Sequence, residues 1–162
     1  MDLYGDNIYL TVCNNDSAFY FPNNKPAIFR VKLAQPLNLT GCWKVGLCEI
    51  QLCNVDIKNK VIDEEDDDNK RVDIVNGKDI PSVSIDCNIC TGLIVNGVQT
   101  RTLRKIWGRK NIYKVFPIVY YVPVEKGYID TIEFKIHTVN GALLRFDNLY
   151  GRVEMTLRLK RC

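Results

Sequence analysis

Val153-Glu154-Met155-Thr156-Leu157-Arg158-Leu159 is the stretch that decides the fold of this chain. Apolar residues occupy every second position of it, and polar or charged residues occupy the positions between them. Successive side chains of a β-strand point to opposite faces, so this period of two predicts a strand with one buried face and one solvated face. Such a strand is typical of an antiparallel sheet that covers a core on one side.

The same alternation recurs along most of the chain, while helical spacing is nearly absent. It is seen at residues 8–12, 29–33, 43–47, 83–87, 115–124, 132–137 and 153–159. Asn96-Gly97 predicts a hairpin, and Asn140-Gly141 predicts a turn into residues 142–146. Pro117 and Pro123 indicate an edge strand or a bulge, because proline cannot donate to a ladder. Residues 103–112 carry the weakest pattern and could hold one helical turn.

Together these segments predict an all-β fold in one domain that spans residues 1–162. Strands without intervening helices favour an antiparallel β-sandwich, specifically a single jelly roll of about eight strands. A closed barrel is the main alternative. Residues 58–71 are predicted to form a charged loop insertion, since they cannot bury enough apolar surface to order themselves.

The charge of the chain is unevenly distributed. Residues 63–68 hold six of the 19 acidic residues, which leaves 22 basic residues against 13 acidic ones elsewhere, a net charge of +9. A basic surface favours anionic partners, either nucleic acid or an acidic protein face. The segment richest in cations also contains Trp107, and the predicted contacts with such a partner are the six residues Arg101, Arg104, Lys105, Trp107, Arg109 and Lys110. The favoured interpretation of this segment is nevertheless a solvated loop that Trp107 anchors to the core.

The N-terminal residues resemble no secretory signal, and no apolar stretch is long enough to span a bilayer, so we expect synthesis in the cytoplasm. Cytosolic thiols normally stay reduced, and we therefore expect the seven cysteines to be free. Cys87 and Cys90 have the spacing of a metal or redox pair, and Cys48 with Cys53 could complete a zinc site. Small hydrophobic packing roles are the favoured interpretation.

No arrangement of residues in the sequence indicates catalysis. The only histidine, His137, is expected on the exposed face of its strand, where it lacks the neighbours that a nucleophile and base would need. We therefore predict that the protein is not an enzyme, and we assign it no catalytic residues, no metal and no cofactor.

Two stretches resemble a family of viral proteins. The first comprises FPNN at 21–24, F-x-V-x-L at 29–33 and P-L-x-L-x-G-x-W-x-V-G-L-x-E-I at 36–50. The second comprises YVPV at 121–124, I-D-T-I-E-F-x-I at 129–136, Gly141, Phe146 and G-x-V-x-x-T-L-x-L at 151–159. Together they are similar to the penton-type minor capsid protein of Polinton-like (Maverick) elements and adintoviruses. The resemblance covers the outer two thirds of the chain and leaves residues 54–114 unmatched.

The resemblance implies a structural virion protein with a single jelly roll. Such a protein would assemble as a homopentamer at the vertices of an icosahedral capsid and contact a major capsid protein there. Its expected location is the virion, after synthesis in the host cytoplasm, with assembly in the nucleus as an option. The alternatives are a nucleic-acid-binding β-domain that uses residues 101–114, and a host-encoded interaction domain derived from such a virus.

Overall fold

A computed structural model describes residues 5–55, 80–108, 111–138, 141–146 and 151–162. The described residues form eleven strands and no helix. The strands are β1 (Asn7–Cys13), β2 (Ile28–Asn38), β3 (Trp43–Cys53), β4 (Ile80–Cys87), β5 (Ile94–Val95), β6 (Val98–Gln99), β7 (Thr102–Gly108), β8 (Ile112–Val115), β9 (Tyr121–Pro123), β10 (Tyr128–Thr138) and β11 (Arg152–Arg161). The all-β prediction is therefore confirmed.

Nine of the strands form two antiparallel sheets that share one hydrophobic core, an arrangement consistent with a β-sandwich, and β5 and β6 form a separate hairpin. The first sheet has the order β1-β11-β3-β8, and β9 also pairs with β3. The second sheet has the order β2-β10-β4-β7. Strands β8 and β9 pair with successive parts of β3 and so share one strand position in the first sheet. Each sheet is therefore four strands wide.

The pairings are nested along the chain. Strand β1 pairs with β11, β2 with β10, β3 with β8 and β9, and β4 with β7. The chain thus forms one long antiparallel ribbon that is folded back on itself. The outermost pair, β1 and β11, lies in the first sheet, and the next pair, β2 and β10, lies in the second.

Strand β11 lies between β1 and β3, as its alternating sequence predicts. Its four apolar residues, Val153, Met155, Leu157 and Leu159, are buried. The residues between them are half-buried or exposed. In the second sheet Phe29 of β2 lies opposite Phe134 of β10, and the two ring centroids are 5.3 Å apart. Packing of these two inner faces forms the core.

The turns follow from residues that tolerate positive φ. Asn96 and Gly97 have φ angles of 50° and 76° and connect β5 to β6, so the predicted hairpin is confirmed. Positive φ at both central residues suits a tight hairpin turn. Gly141 also has a positive φ of 79°, but Asn140 lies outside the described residues. The residues after it form single bridges through Leu143 and Phe146 and no regular strand.

The structure corrects two further expectations and leaves one untested. Residues 103–108 belong to β7 and not to a helical turn. Cys42 and Cys162 form a disulfide with 5.4 Å between their Cα atoms, so the seven cysteines are not all free. The pair directly extends the β3–β11 ladder beyond Trp43 and Arg161. The charged insertion predicted at 58–71 lies outside the described residues.

Candidate assembly surfaces

The structure describes four of the six residues named as contacts with an anionic partner, Arg101, Arg104, Lys105 and Trp107. Arg101 precedes β7, donates a hydrogen bond from Nη1 to the carbonyl oxygen of Asn88 at 2.7 Å and lies 3.8 Å from a carboxylate oxygen of Glu125. Arg109 and Lys110 lie outside the described residues. An anion-binding site formed by all six residues therefore stays a prediction.

Arg104 joins the two sheets. Its guanidinium carbon lies 3.8 Å from the ring centroid of Phe116 and 4.2 Å from that of Tyr120, and Nη1 donates to the carbonyl oxygen of Ile118 at 2.9 Å. The pKa of Arg104 is lowered because the group is partly buried. A guanidinium that contacts two rings stabilises the fold by cation–π attraction.

Replacing Arg104 with lysine is expected to lower the free energy of unfolding by about 1–2 kcal/mol, since an ammonium cannot stack on two rings and reach the carbonyl of Ile118 together. Urea unfolding followed by circular dichroism measures the change. Arg152→Lys is the matched control at an exposed position paired with Glu154, and it should change stability by less than about 0.5 kcal/mol. Equal losses in the two variants would contradict the role given to Arg104.

Lys105 and Trp107 are exposed on β7, the last strand of the second sheet. The Trp107 side chain is 70% exposed and therefore does not anchor a loop to the core, so the favoured interpretation of this segment is wrong. It is one of several apolar side chains that are exposed on this side of the molecule.

These side chains define a surface that we name the β7–β8 edge. Strand β8 is the last strand of the first sheet and β7 is the last strand of the second, and Arg104 of β7 contacts Phe116, which directly follows β8. The exposed apolar side chains of this edge are Trp107, Tyr113, Val115, Ile118 and Tyr120. A hydrogen bond with Glu49 raises the pKa of Tyr113. Clustered exposed apolar residues of this kind mark interaction surfaces.

A second aromatic surface lies at the opposite end of the second sheet, and we name it the β1–β2 edge. It consists of Phe19 and Tyr20, in the β1–β2 connection, and Tyr128 at the start of β10. The Phe19 side chain is 91% exposed, and its ring meets that of Tyr20 edge to face at 5.5 Å. The structure thus presents two different aromatic surfaces on opposite sides.

The same connection covers the backbone of edge strand β2. Asn24 exchanges two side-chain hydrogen bonds with the backbone of Arg30, at 2.8 and 2.9 Å. Ser17 Oγ accepts from the backbone nitrogen of Lys32 at 2.8 Å. These bonds satisfy groups that would otherwise pair with a foreign strand. At Arg30 and Lys32 the connection therefore blocks the addition of a foreign strand to β2.

The cysteines do not assemble the zinc site that their spacing could allow. Cys87 and Cys90 are buried at the end of β4, whereas Cys48 and Cys53 are half-buried on β3 in the other sheet. A hydrogen bond with Cys87 raises the pKa of Cys90, so its sulfur is a protonated, inert thiol. Across the described ranges, no three His, Cys, Asp or Glu side chains lie close enough together to hold a metal.

His137 is half-buried and not exposed as expected. Its Nε2 lies 2.9 Å from Asp86 Oδ2, and its Nδ1 lies 3.1 Å from the carbonyl oxygen of Thr138. Thr102 Oγ1 donates to the other oxygen of Asp86 at 2.8 Å. Both ring nitrogens are thus engaged in a cross-strand network that ties β10, β4 and β7 together. The role of this network is structural, because it connects three neighbouring strands.

Comparison with known proteins adds no relative. No model of a known protein family matches the chain, and no curated protein matches it. In addition, no helix among the described residues is long and apolar enough to cross a membrane.

The sequence reasoning missed the β1–β2 edge. Phe19 and Tyr20 stand next to each other in a polar stretch between two strands, and that adjacency was the available signal. Alternation cannot place them, because they belong to neither strand.

Proposed function

We propose that this protein is a structural capsid protein that assembles as a homopentamer at the vertices of an icosahedral virion. In this role it is not an enzyme, its partner is the major capsid protein, and its location is the virion. The resemblance of residues 21–50 and 121–159 to penton-type proteins supports the proposal.

The proposed fold is a single jelly roll. The pairing supports it, because the first strand pairs with the last, the second with the second-last, and the inner strands likewise. An antiparallel ribbon that is wound into two four-stranded sheets produces this order. The hairpin β5–β6 is then an insertion between β4 and β7.

The observation that carries the assembly proposal is the pair of unlike aromatic edges on opposite sides of the molecule. A ring is built from heterologous contacts, in which one surface of each subunit meets a different surface of the next. The β7–β8 edge and the β1–β2 edge are two such surfaces. Both are rich in tyrosine, tryptophan or phenylalanine, which are the residues that dominate interface energetics.

The proposal is tested by disabling one edge at a time. Phe19→Ala with Tyr20→Ala removes two of the three aromatic side chains of the β1–β2 edge, and Trp107→Ala with Ile118→Ala removes two apolar side chains of the β7–β8 edge. We expect each double variant to weaken self-association at least about 100-fold and to be monomeric by native mass spectrometry. An equimolar mixture should form heterodimers and nothing larger, because each subunit keeps one working edge and the two retained edges are complementary.

Ile94→Ala is the control, since Ile94 is 74% exposed on β5 but belongs to neither edge. This variant should assemble as the wild type does, and circular dichroism should show all variants folded. Rings that persist in both double variants, or a mixture that stays monomeric, would overturn the assembly proposal.

A further inference from the structure

Three cations meet on the outer face of the first sheet, at the end where β3 begins. Lys160 of β11 lies directly opposite Lys44 of β3 in the ladder. Arg158 is two residues before Lys160 and therefore points to the same face. We name Lys44, Arg158 and Lys160, with the flanking Tyr9 and Tyr121, the cationic face.

This arrangement works against the stability of the sheet. Like charges placed directly opposite on neighbouring strands repel each other. The other residues in the same two rows of the ladders, Asn7, Tyr9, Gly46, Tyr121 and Pro123, carry no carboxylate. Within the described part of the chain, no salt bridge engages any of the three cations. A repulsion that no carboxylate in these rows offsets is expected where a surface binds an anionic partner.

The cations are held in place by neutral neighbours. Asn7 Oδ1 accepts hydrogen bonds from Nε and Nη2 of Arg158 at 3.0 and 2.8 Å, which fixes the plane of the guanidinium. The guanidinium lies 5.5 Å from the ring centroid of Tyr9, whose side chain is 62% exposed. On the other side, Lys160 Nζ lies 6.0 Å from the ring centroid of Tyr121. The arrangement places tyrosines on both sides of the cations.

The edge of the cationic face is set by a glycine. A Cβ on Gly46 would lie 2.4 Å from Cγ1 of Val119 and 2.8 Å from the carbonyl oxygen of Tyr120. The segment that connects β8 to β9 therefore crosses β3 at Gly46 and borders the cationic face. The face is open on its other sides, where Lys44 and Lys160 are exposed.

We propose that the cationic face binds the phosphodiester backbone of nucleic acid. Cations without a carboxylate partner neutralise phosphates, and the exposed ring of Tyr9 can stack on a base, while Tyr121 is half-buried beside Lys160. An acidic protein segment would use the cations but not the tyrosines, which is why nucleic acid is the favoured occupant. The site does not depend on the vertex role, since it shares no residue with either aromatic edge, and it is distinct from the segment 101–114 that the sequence offers as an alternative nucleic-acid site.

The test measures binding of a fluorescently labelled 20-nucleotide poly(dT) strand and of a duplex of equal length by anisotropy. Three cations predict that affinity for the single strand falls about 20-fold between 50 and 200 mM salt. Lys44→Glu with Lys160→Glu should weaken binding at least about 10-fold at 50 mM salt. Lys25→Glu with Lys105→Glu makes the same change of charge at exposed positions away from the site, and it should weaken binding less than about 3-fold.

Tyr9→Leu keeps apolar cover over the sheet but removes the stacking ring, and it should weaken poly(dT) binding about 5-fold or more while affecting the duplex less. Absence of poly(dT) and duplex binding at 50 mM salt, or equal losses in the two charge-reversal variants, would overturn the proposal. So would a poly-glutamate peptide that binds the face more tightly than either nucleic acid. Subunit counts of the Lys44→Glu, Lys160→Glu variant separate this result from the assembly proposal, because both edges stay intact in it.

Discussion

Replacing Ile132 with alanine is expected to destabilise the protein by about 2–5 kcal/mol, because the change removes buried methylene groups and leaves a cavity in a packed core. Ile132 is fully buried on β10, which lies between β2 and β4. A loss of this size lowers the melting temperature of a chain of 162 residues by about 10 °C. Differential scanning calorimetry measures the change.

The control uses the same substitution at an exposed position. Ile94→Ala on β5 removes identical atoms from a side chain that is already in contact with solvent, and it should shift stability by less than about 0.5 kcal/mol. If the two variants melted at the same temperature, β10 would not be a central strand of the core.

Removing the disulfide is the second large expected effect. Cys42 and Cys162 are 120 residues apart, and a cross-link over that separation restricts the unfolded chain strongly. Cys42→Ser with Cys162→Ser should therefore lower the free energy of unfolding by about 3 kcal/mol. Dithiothreitol should lower the melting temperature of the wild type to that of this variant and leave the variant unchanged.

Cys53→Ser is the matched control, because Cys53 is a half-buried free thiol. It should cost less than about 1 kcal/mol and keep the response to reductant. Thiol titration of the denatured, unreduced protein should find five reactive thiols of the seven cysteines. Seven thiols, or a wild-type melting temperature that reductant does not change, would contradict the cross-link.

The strands could be predicted from the sequence because burial of one face imposes a period of two. Strand β11 and most of β2, β3 and β10 follow that rule, and Asn96-Gly97 gives a hairpin through its φ preferences alone. Alternation does not give the bounds of strands that are short or interrupted, such as β8 and β9, which pair with successive parts of β3. There the backbone leaves the ladder at residues 116–120 and crosses Gly46.

The candidate sites could not be predicted in the same way, because they depend on the register between strands distant in sequence. Lys44 and Lys160 are 116 positions apart and become neighbours only through the β3–β11 ladder. Composition showed that the segment around Trp107 is basic, but not that Arg104 stacks on two rings. For the same reason, nothing in the spacing of Cys42 and Cys162 indicates a disulfide.

The central claim is that the protein assembles into a closed ring of five. Native mass spectrometry of the purified wild-type protein, with negative-stain electron microscopy of the same sample, tests it most directly. The proposal predicts a single species with five times the mass of the 18.6 kDa chain and ring-shaped particles with five-fold symmetry. A protein that remains monomeric at the highest concentration measured, or that forms two-fold dimers, would contradict it.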